Sequence, residues 1–516
     1  MCGIYFCYLR DLINNCQFIK FNYEKLQRRG PDETLIRHSN DYKMAFYRLA
    51  INGIGNGNQP FSINGQIFLM CNGEIYNYKE LANKYNVKLK KKSDCEIILK
   101  LYEHDETLSW IHELDGEYAF VIYNTITNLV HFSVDYAGVK PLYYRINDLI
   151  EISSEMKGLS DVCDEDSEPI QPVIPNYLYT YDTIKSSLTR EYIHRNLLET
   201  FNNNLIDLLR NAVHKRITNT ERKIGFLLSG GLDSSIILAL ALALKESCGI
   251  KEPYEVFTYS FSKDSNDVHS ATCVINWLKE KYPMSINWHL VIGDVSEGIN
   301  NIQNVIETIE TYDTTTIRAS IPMYLLSKYI SENSDVKVIL SGEGADELFG
   351  GYLYFKYAPN AFEYRNESQK LINQLYLFDC LRADRSTAAH GLEIRPPFLD
   401  MSIIKYAYNF NKTQEAYTMN KSMTKKILRK TAANARLLPY DIIWGKKEAF
   451  SDGVGHLWLN ELDKLANFNN TTIKDMFKFI YDKLYNIDNK YIIYWEPNQH
   501  WINTNGESSA RELPNY

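Results

Sequence analysis

A glycine turn stands between a strand-like run and a strongly apolar helix pattern near the middle of this 516-residue chain. Residues 223–228 form the run, Ser229-Gly230-Gly231-Leu232-Asp233-Ser234-Ser235 the turn, and 235–245 the helix pattern. A strand feeding straight into a helix commits the chain to a crossover, and so to parallel strands. The sequence that follows agrees. Strand-like runs at 255–261, 286–291 and 336–340 alternate with helix patterns at 270–281, 299–310 and 322–331. That alternation specifies an α/β domain whose parallel sheet is covered on both faces. A helix at 197–216 precedes it, and the remainder to residue 516 reads as mostly helical.

The first 160 residues read differently. Short runs at 3–9, 43–51, 66–71, 117–123, 129–134 and 142–146 carry strand character, and two helix patterns interrupt at 78–85 and 95–104. Layered α+β structure follows. Acids and Pro169, Pro172 and Pro175 make 161–175 a candidate junction loop. Net charge −8 provides no electrostatic footprint for a nucleic-acid partner. The longest apolar stretch, 236–244, is far short of the roughly 20 residues that span a bilayer. The N-terminus lacks the basic region of a signal peptide. Nine scattered cysteines with no CxxC pair suit a reducing, cytoplasmic compartment.

The glycine turn has the makings of a phosphate cradle. Gly230 and Gly231 let backbone N–H groups converge on an anion, the serines add donors, and the helix N-terminus adds a favourable dipole. It lacks the lysine of a GxxxxGK[ST] loop. Asp233 would repel phosphate unless a cation mediates, which calls for Mg²⁺. A second acidic glycine segment, Ser341-Gly342-Glu343-Gly344-Ala345-Asp346-Glu347, follows the run 336–340. Ligands of parallel sheets sit beyond the carboxyl ends of the strands, so the two segments are expected to face one pocket. Asp346 is then a second candidate metal ligand, and Glu343 a candidate base or orienting acid. Residues 310–318 place hydroxyls and Arg318 ahead of a helix, where the guanidinium could grip a carboxylate.

At the other end, Cys2 follows Met1 directly. Removal of Met1 would leave a thiol and a free α-amine on one residue, a nucleophile with its own base. Asn72-Gly73-Glu74 follows a strand-like run and offers an amide and a glycine N–H as oxyanion donors. Arg48 and Asp94 supply the cation and anion that an amino-acid substrate needs.

Several strings, taken together, resemble known families. Met1 to Ile4, Arg28 to Asp32, Arg48 to Ile51, Gln59-Pro60, Asn72 to Asn77 and Ser93 to Glu96 resemble class II glutamine amidotransferases, which are N-terminal-nucleophile hydrolases. The turn Ser229 to Ser235 resembles the pyrophosphate loop of N-type ATP pyrophosphatases. From Cys2 to about Trp458 the order of the strings resembles the glutamine-hydrolysing asparagine synthetase family. Val134 before Asp135, and Phe46-Tyr47 before Arg48, depart from the common pattern. The last sixty or so residues add no string to this resemblance.

The resemblance implies an αββα sandwich over residues 1–190 and an adenine-nucleotide α-hydrolase-like domain with a helical C-terminal part over 191–516. It implies that Cys2 hydrolyses glutamine, with Asn72 and Gly73 as oxyanion hole. Arg48, Leu49, Ala50, Ile51, Asn52, Glu74 and Asp94 would hold that substrate. It implies ATP bound by Leu227, Leu228, Ser229, Gly230, Gly231, Asp233, Ser234, Ser235, Tyr259, Ser341 and Gly342, with Mg²⁺ on Asp233 and Asp346. Thr315, Thr316, Arg318 and Lys447 would surround aspartate and its adenylate, and Glu343 would serve ammonia attack. A homodimer is left open, and neither nucleic acid nor membrane is an expected partner. A β-lactam synthetase-like adenylating enzyme and a degenerate binding protein are the alternatives. Intact strings around Cys2 argue against both, and the run 310–320 favours aspartate as acceptor.

Overall fold

The computed structural model describes residues 1–9, 20–147, 149–160, 169–197, 204–445, 456–485 and 491–501. Its first half contains strands β1 (Gly3–Tyr8), β2 (Glu33–His38), β3 (Tyr42–Arg48), β4 (Phe61–Ile63), β5 (Ile67–Ile75) and β6 (Gly116–Asn124). They continue with β7 (Leu129–Val134), β8 (Tyr143–Ile146), β9 (Ile150–Ser153), β10 (Gln171–Pro172), β11 (Tyr177–Asp182) and β12 (Ser187–Tyr192). Two six-stranded sheets result, ordered β10-β8-β9-β1-β3-β2 and β12-β11-β7-β6-β5-β4.

Alternation along each strand stacks the sheets. Ile4 and Phe6 of β1 share one apolar layer with Met70, Val121 and Phe132 of the opposite sheet. Tyr5 and Cys7 turn the other way, onto Leu26 of the short 3₁₀ helix Tyr23–Arg29. Leu69 and Cys71 of β5 pack against helix Glu96–His104. With both faces covered, β5 is buried at nearly every position and apolar throughout its first five residues, which is why no alternation shows there. This is the expected αββα sandwich. The candidate junction loop is corrected: β10 pairs with β8 and β11 pairs with β7, so residues 169–192 complete the two sheets. Pro172 is accommodated because β10 is an edge strand. Residues 161–168 lie outside the described residues.

The second half carries β13 (Lys223–Leu227), β14 (Tyr254–Ser260), β15 (Ile286–Ile292), β16 (Val336–Leu340) and β17 (Glu393–Arg395). They form one sheet, ordered β15-β14-β13-β16-β17, and every pairing is parallel. One face is covered by helices Leu205–Thr218, Leu232–Leu244 and Asn266–Lys281, the other by helices Ile302–Ile309 and Thr314–Asn333. The chain runs outward from β13 to β15 and then returns to β16 on the other side of β13. Such a reversal of strand order opens a crevice at the carboxyl ends of the two central strands. Both glycine segments follow those strands.

One helix begins earlier than its pattern predicts. Thr314–Asn333 contains Pro322, read from sequence as a first-turn residue. Asp313 is the true cap, accepting from the Thr316 N–H at 2.8 Å. Thr315, Thr316 and Arg318 therefore stand on the helix, not ahead of it.

Candidate active sites

Cys2 lies one residue before β1, and its surroundings come from three separate parts of the chain. Its backbone N–H donates to Asn72 Oδ1 at 2.7 Å, and its Sγ sits 3.7 Å from the Leu49 carbonyl oxygen. Arg29 Nε donates to the Cys2 carbonyl at 3.0 Å. Asn72 is wholly buried in β5, and its Nδ2 has no hydrogen-bond partner. A buried amide donor left unpaired is costly, and it is what an oxyanion site needs before substrate arrives. Gly73 beside it has φ +135°, and a Cβ there would fall 1.9 Å from the Glu117 carbonyl oxygen. Only glycine fits. Burial pushes the Cys2 thiol up, so it needs a base. Met1 is fully buried, with its amine 4.0 Å from Glu393 Oε2 and lowered to about 6, chiefly by burial.

The residues expected to hold glutamine are partly committed to one another. Arg48 Nη1 donates to Glu33 Oε2 at 2.9 Å and Asn58 Oδ1 at 2.7 Å, and Nη2 donates to the Asn52 and Gly53 carbonyls at 3.0 and 2.6 Å. The guanidinium thus also pins the loop after β3. Ala50 is engaged on both sides, by Asp32 Oδ2 at its N–H (2.8 Å) and Arg222 Nε at its carbonyl (2.7 Å). The Ile51 carbonyl accepts from the Glu221 N–H at 3.1 Å. Glu74 and Asp94 are buried side by side. Glu74 Oε2 accepts from Asn52 Nδ2 at 2.5 Å and Asn219 Nδ2 at 2.7 Å, and Asp94 Oδ2 from the Ile75 N–H at 2.6 Å. Burial, then the neighbouring Asp94, holds the Glu74 carboxyl well above its usual range. Arg395 of β17 reaches Glu74 Oε1 at 3.0 Å. Asn219 and Arg395 come from the second half of the chain, and nothing in the sequence around either points to Glu74 as its partner.

The second site is a cavity of about 510 Å³ in the crevice beyond β13 and β16. Leu227, Leu228, the loop Ser229 to Ser234, Tyr259, Thr315, Thr316, Ser341, Gly342, Glu343 and Asp346 all line it. Ser235, wholly buried, and Arg318 are not among the lining residues. Lys447 lies outside the described residues. Gly230 has φ +81°, and a Cβ there would meet Ala271 N at 2.3 Å. At Gly342 a Cβ would lie 2.9 Å from Ser234 N, so the two glycine segments touch. No side chain caps helix Leu232–Leu244 at Gly231, which leaves its N-terminus for an anion.

Two cations at the cavity each contact two acids. Arg382 Nη2 contacts Glu343 Oε2 at 2.7 Å and Asp379 Oδ1 at 2.8 Å. Burial pushes the Glu343 carboxyl up, with Arg382 opposing. Lys425 Nζ contacts Asp233 Oδ2 at 2.6 Å and Asp346 Oδ1 at 2.8 Å. Asp233 Oδ1 is buried with no hydrogen-bond partner. No group of three or more metal-ligating side chains occurs among the described residues. A pair of carboxylates is nonetheless what Mg²⁺ takes when phosphates and water supply its remaining oxygens. From the C-terminal stretch, Trp495 lines the cavity, and its N–H donates to Asp313 Oδ1 at 2.8 Å. No helix among the described residues is long and apolar enough to cross a membrane.

Comparison with known proteins finds a family model for each half of the chain. A family model described as a glutamine amidotransferase domain matches residues 1–214, and one described as asparagine synthase matches residues 204–371 and 363–478. The asparagine synthetase (glutamine-hydrolyzing) of Rattus norvegicus is 35% identical over 572 residues, covering 100% of this chain and 99% of that one. The Homo sapiens protein of the same description is 34% identical over 571 residues, with the same coverage. A probable asparagine synthetase (glutamine-hydrolyzing) of Acanthamoeba polyphaga mimivirus is 38% identical over 509 residues, 90% of this chain and 88% of that one. The chain belongs to the family of glutamine-hydrolysing asparagine synthetases.

Proposed function

We propose that the chain divides glutamine-dependent asparagine synthesis between these two sites, split near residue 190. In the sandwich, with Met1 removed, the Cys2 α-amine takes the thiol proton and Sγ attacks the side-chain amide carbon of glutamine. Asn72 Oδ1 holds that nitrogen in place, while Asn72 Nδ2 and the Gly73 N–H stabilise the oxyanion. Ammonia leaves, and water hydrolyses the γ-glutamyl thioester to glutamate. Arg48 receives the substrate α-carboxylate once Glu33 yields, which its 40% exposure allows. Asp94 and Glu74 face the α-amine, and backbone from Leu49 to Asn52 borders the pocket.

In the second site, the loop Ser229 to Ser235 and the helix behind it cradle the ATP phosphates. Leu227, Leu228, Tyr259, Ser341 and Gly342 surround the nucleoside. Mg²⁺ bound through Asp233 and Asp346 would neutralise phosphate charge. Thr315, Thr316, Arg318 and Lys447 hold aspartate so that its β-carboxylate attacks the α-phosphate and pyrophosphate departs. Ammonia then attacks the activated carbonyl, Glu343 accepts a proton, and AMP leaves.

The observation that carries this reading is the unpaired, fully buried Nδ2 of Asn72, on the side chain whose Oδ1 holds the Cys2 nitrogen. Product analysis with glutamine, aspartate, ATP and Mg²⁺ tests it. Asparagine, glutamate, AMP and pyrophosphate should appear in equal amounts. ADP and phosphate in their place would overturn the adenylation step.

A further inference from the structure

Lys425 belongs to none of the strings that point to the nucleotide cavity, yet its ammonium stands between that cavity's two acidic loops. Nζ lies 2.6 Å from Asp233 Oδ2 and 2.8 Å from Asp346 Oδ1, and the side chain is 3% exposed. Asp233 follows β13 and Asp346 follows β16. The lysine therefore ties together the two sides of the crevice. Its surroundings are shaped for it. A Cβ on Gly351 would fall 2.1 Å from Lys425 Cε. Its own backbone is left-handed, with φ +54°, a costly conformation for any residue with a side chain.

Within this triad, two carboxylates and one ammonium leave a single negative charge facing the cavity. A divalent cation approaching that wall meets a fixed positive charge 2.6 Å from one oxygen of the carboxylate it would bind. A polyphosphate changes the balance, because its oxygens give the ammonium new partners and bring the cation with them. We propose that Lys425 is a built-in stand-in for the divalent cation. It pairs Asp233 with Asp346 in the nucleotide-free enzyme and moves onto the phosphates when metal and nucleotide enter together. This rests on the reading of Asp233 and Asp346 as metal-contacting residues, and it adds an order: the metal binds with the polyphosphate and not before it.

Mn²⁺ provides a readout independent of turnover, through the paramagnetic resonance signal of the free ion, measured on the full chain. The unaltered protein should take up Mn²⁺ at this site only when pyrophosphate is present, and Asp233→Asn should abolish that uptake. Lys425→Met and Lys425→Gln should each bind one Mn²⁺ without pyrophosphate, at least tenfold more tightly than the unaltered protein. The double variant Lys425→Met, Asp233→Asn should lose it. A lysine serving only to hold the fold would not create a metal site when removed. Tight Mn²⁺ binding to the unaltered protein through Asp233 without pyrophosphate would overturn the proposal. So would its absence from both lysine variants while pyrophosphate-dependent uptake persists. Pyrophosphate-dependent uptake that ignores Asp233→Asn would instead overturn the underlying metal reading.

Discussion

Asp384→Ala should loosen the junction between the two halves and weaken glutamine use more than ammonia use. Asp384 is wholly buried on helix Asp379–Ala388 and accepts two hydrogen bonds from Arg29, at 2.7 and 3.0 Å. Arg29 is 1% exposed, also contacts Glu155 at 2.7 Å, and donates to the Cys2 carbonyl. The surrounding cluster is balanced, with Arg29, Arg385 and Lys157 against Glu155, Asp384 and Glu310. Removing Asp384 leaves one buried positive charge in excess. Breaking a buried pair costs about 3–5 kcal/mol, and the remaining contact with Glu155 puts the expectation near the lower end. About 3 kcal/mol is roughly a hundredfold in the folding equilibrium constant.

Urea denaturation followed by circular dichroism reads the stability, taking the first transition because the chain has two domains. Parallel assays compare asparagine formation from glutamine and from ammonium. Arg29 touches Cys2 directly, so the glutamine reaction should fall several times further than the ammonium reaction. A destabilisation below about 1 kcal/mol, as for an exposed pair, would refute the argument. Equal loss of both reactions would refute the link to Cys2.

Two further outcomes follow from local geometry. Gly73→Ala forces a Cβ to 1.9 Å from the Glu117 carbonyl oxygen, so it should displace the oxyanion donors. Glutaminase turnover should drop about 100-fold or more, the usual cost of one such donor, with ammonium-dependent synthesis kept within about twofold. Comparing the two rates checks it. Asp313 is wholly buried, and burial pushes its carboxyl up to about 6. A raised folded-state pKa contributes stability that is full below pH 4 and lost as pH rises through 6. Against Asp313→Asn, the unaltered protein should therefore lose about 2.4 kcal/mol between pH 4 and 7 in urea titrations. A difference that does not vary with pH would contradict the assignment.

The sequence displayed strands better than the contacts made between distant segments. β7 and β16 have the bounds that their runs predicted, because short apolar runs flanked by turn residues leave few alternatives. Helix Thr314–Asn333 was hidden by Pro322, which reads as a start signal although a proline inside a long packed helix can be tolerated. Asp313 followed by Thr316 was the cap signal that could have found its true beginning. Cys2, Asn72, Gly73, Asp233 and Glu343 were legible because each sits in a string whose chemistry is local. Lys425, Arg382 and Asp384 were not, and Arg29, although inside the string Arg28 to Asp32, showed no sign of its partners. Their roles arise only when segments tens to hundreds of residues apart meet, and a buried charge carries no mark in sequence of which partner it will find.

The central claim is that a single thiol feeds ammonia to a separate nucleotide site. Cys2→Ala tests it most directly, assayed with aspartate, ATP and Mg²⁺ and either glutamine or ammonium as nitrogen donor. The account predicts no asparagine from glutamine, and asparagine, AMP and pyrophosphate from ammonium at close to the unaltered rate. Asparagine formed from glutamine by the variant, or loss of the ammonium reaction in a folded protein, would contradict it.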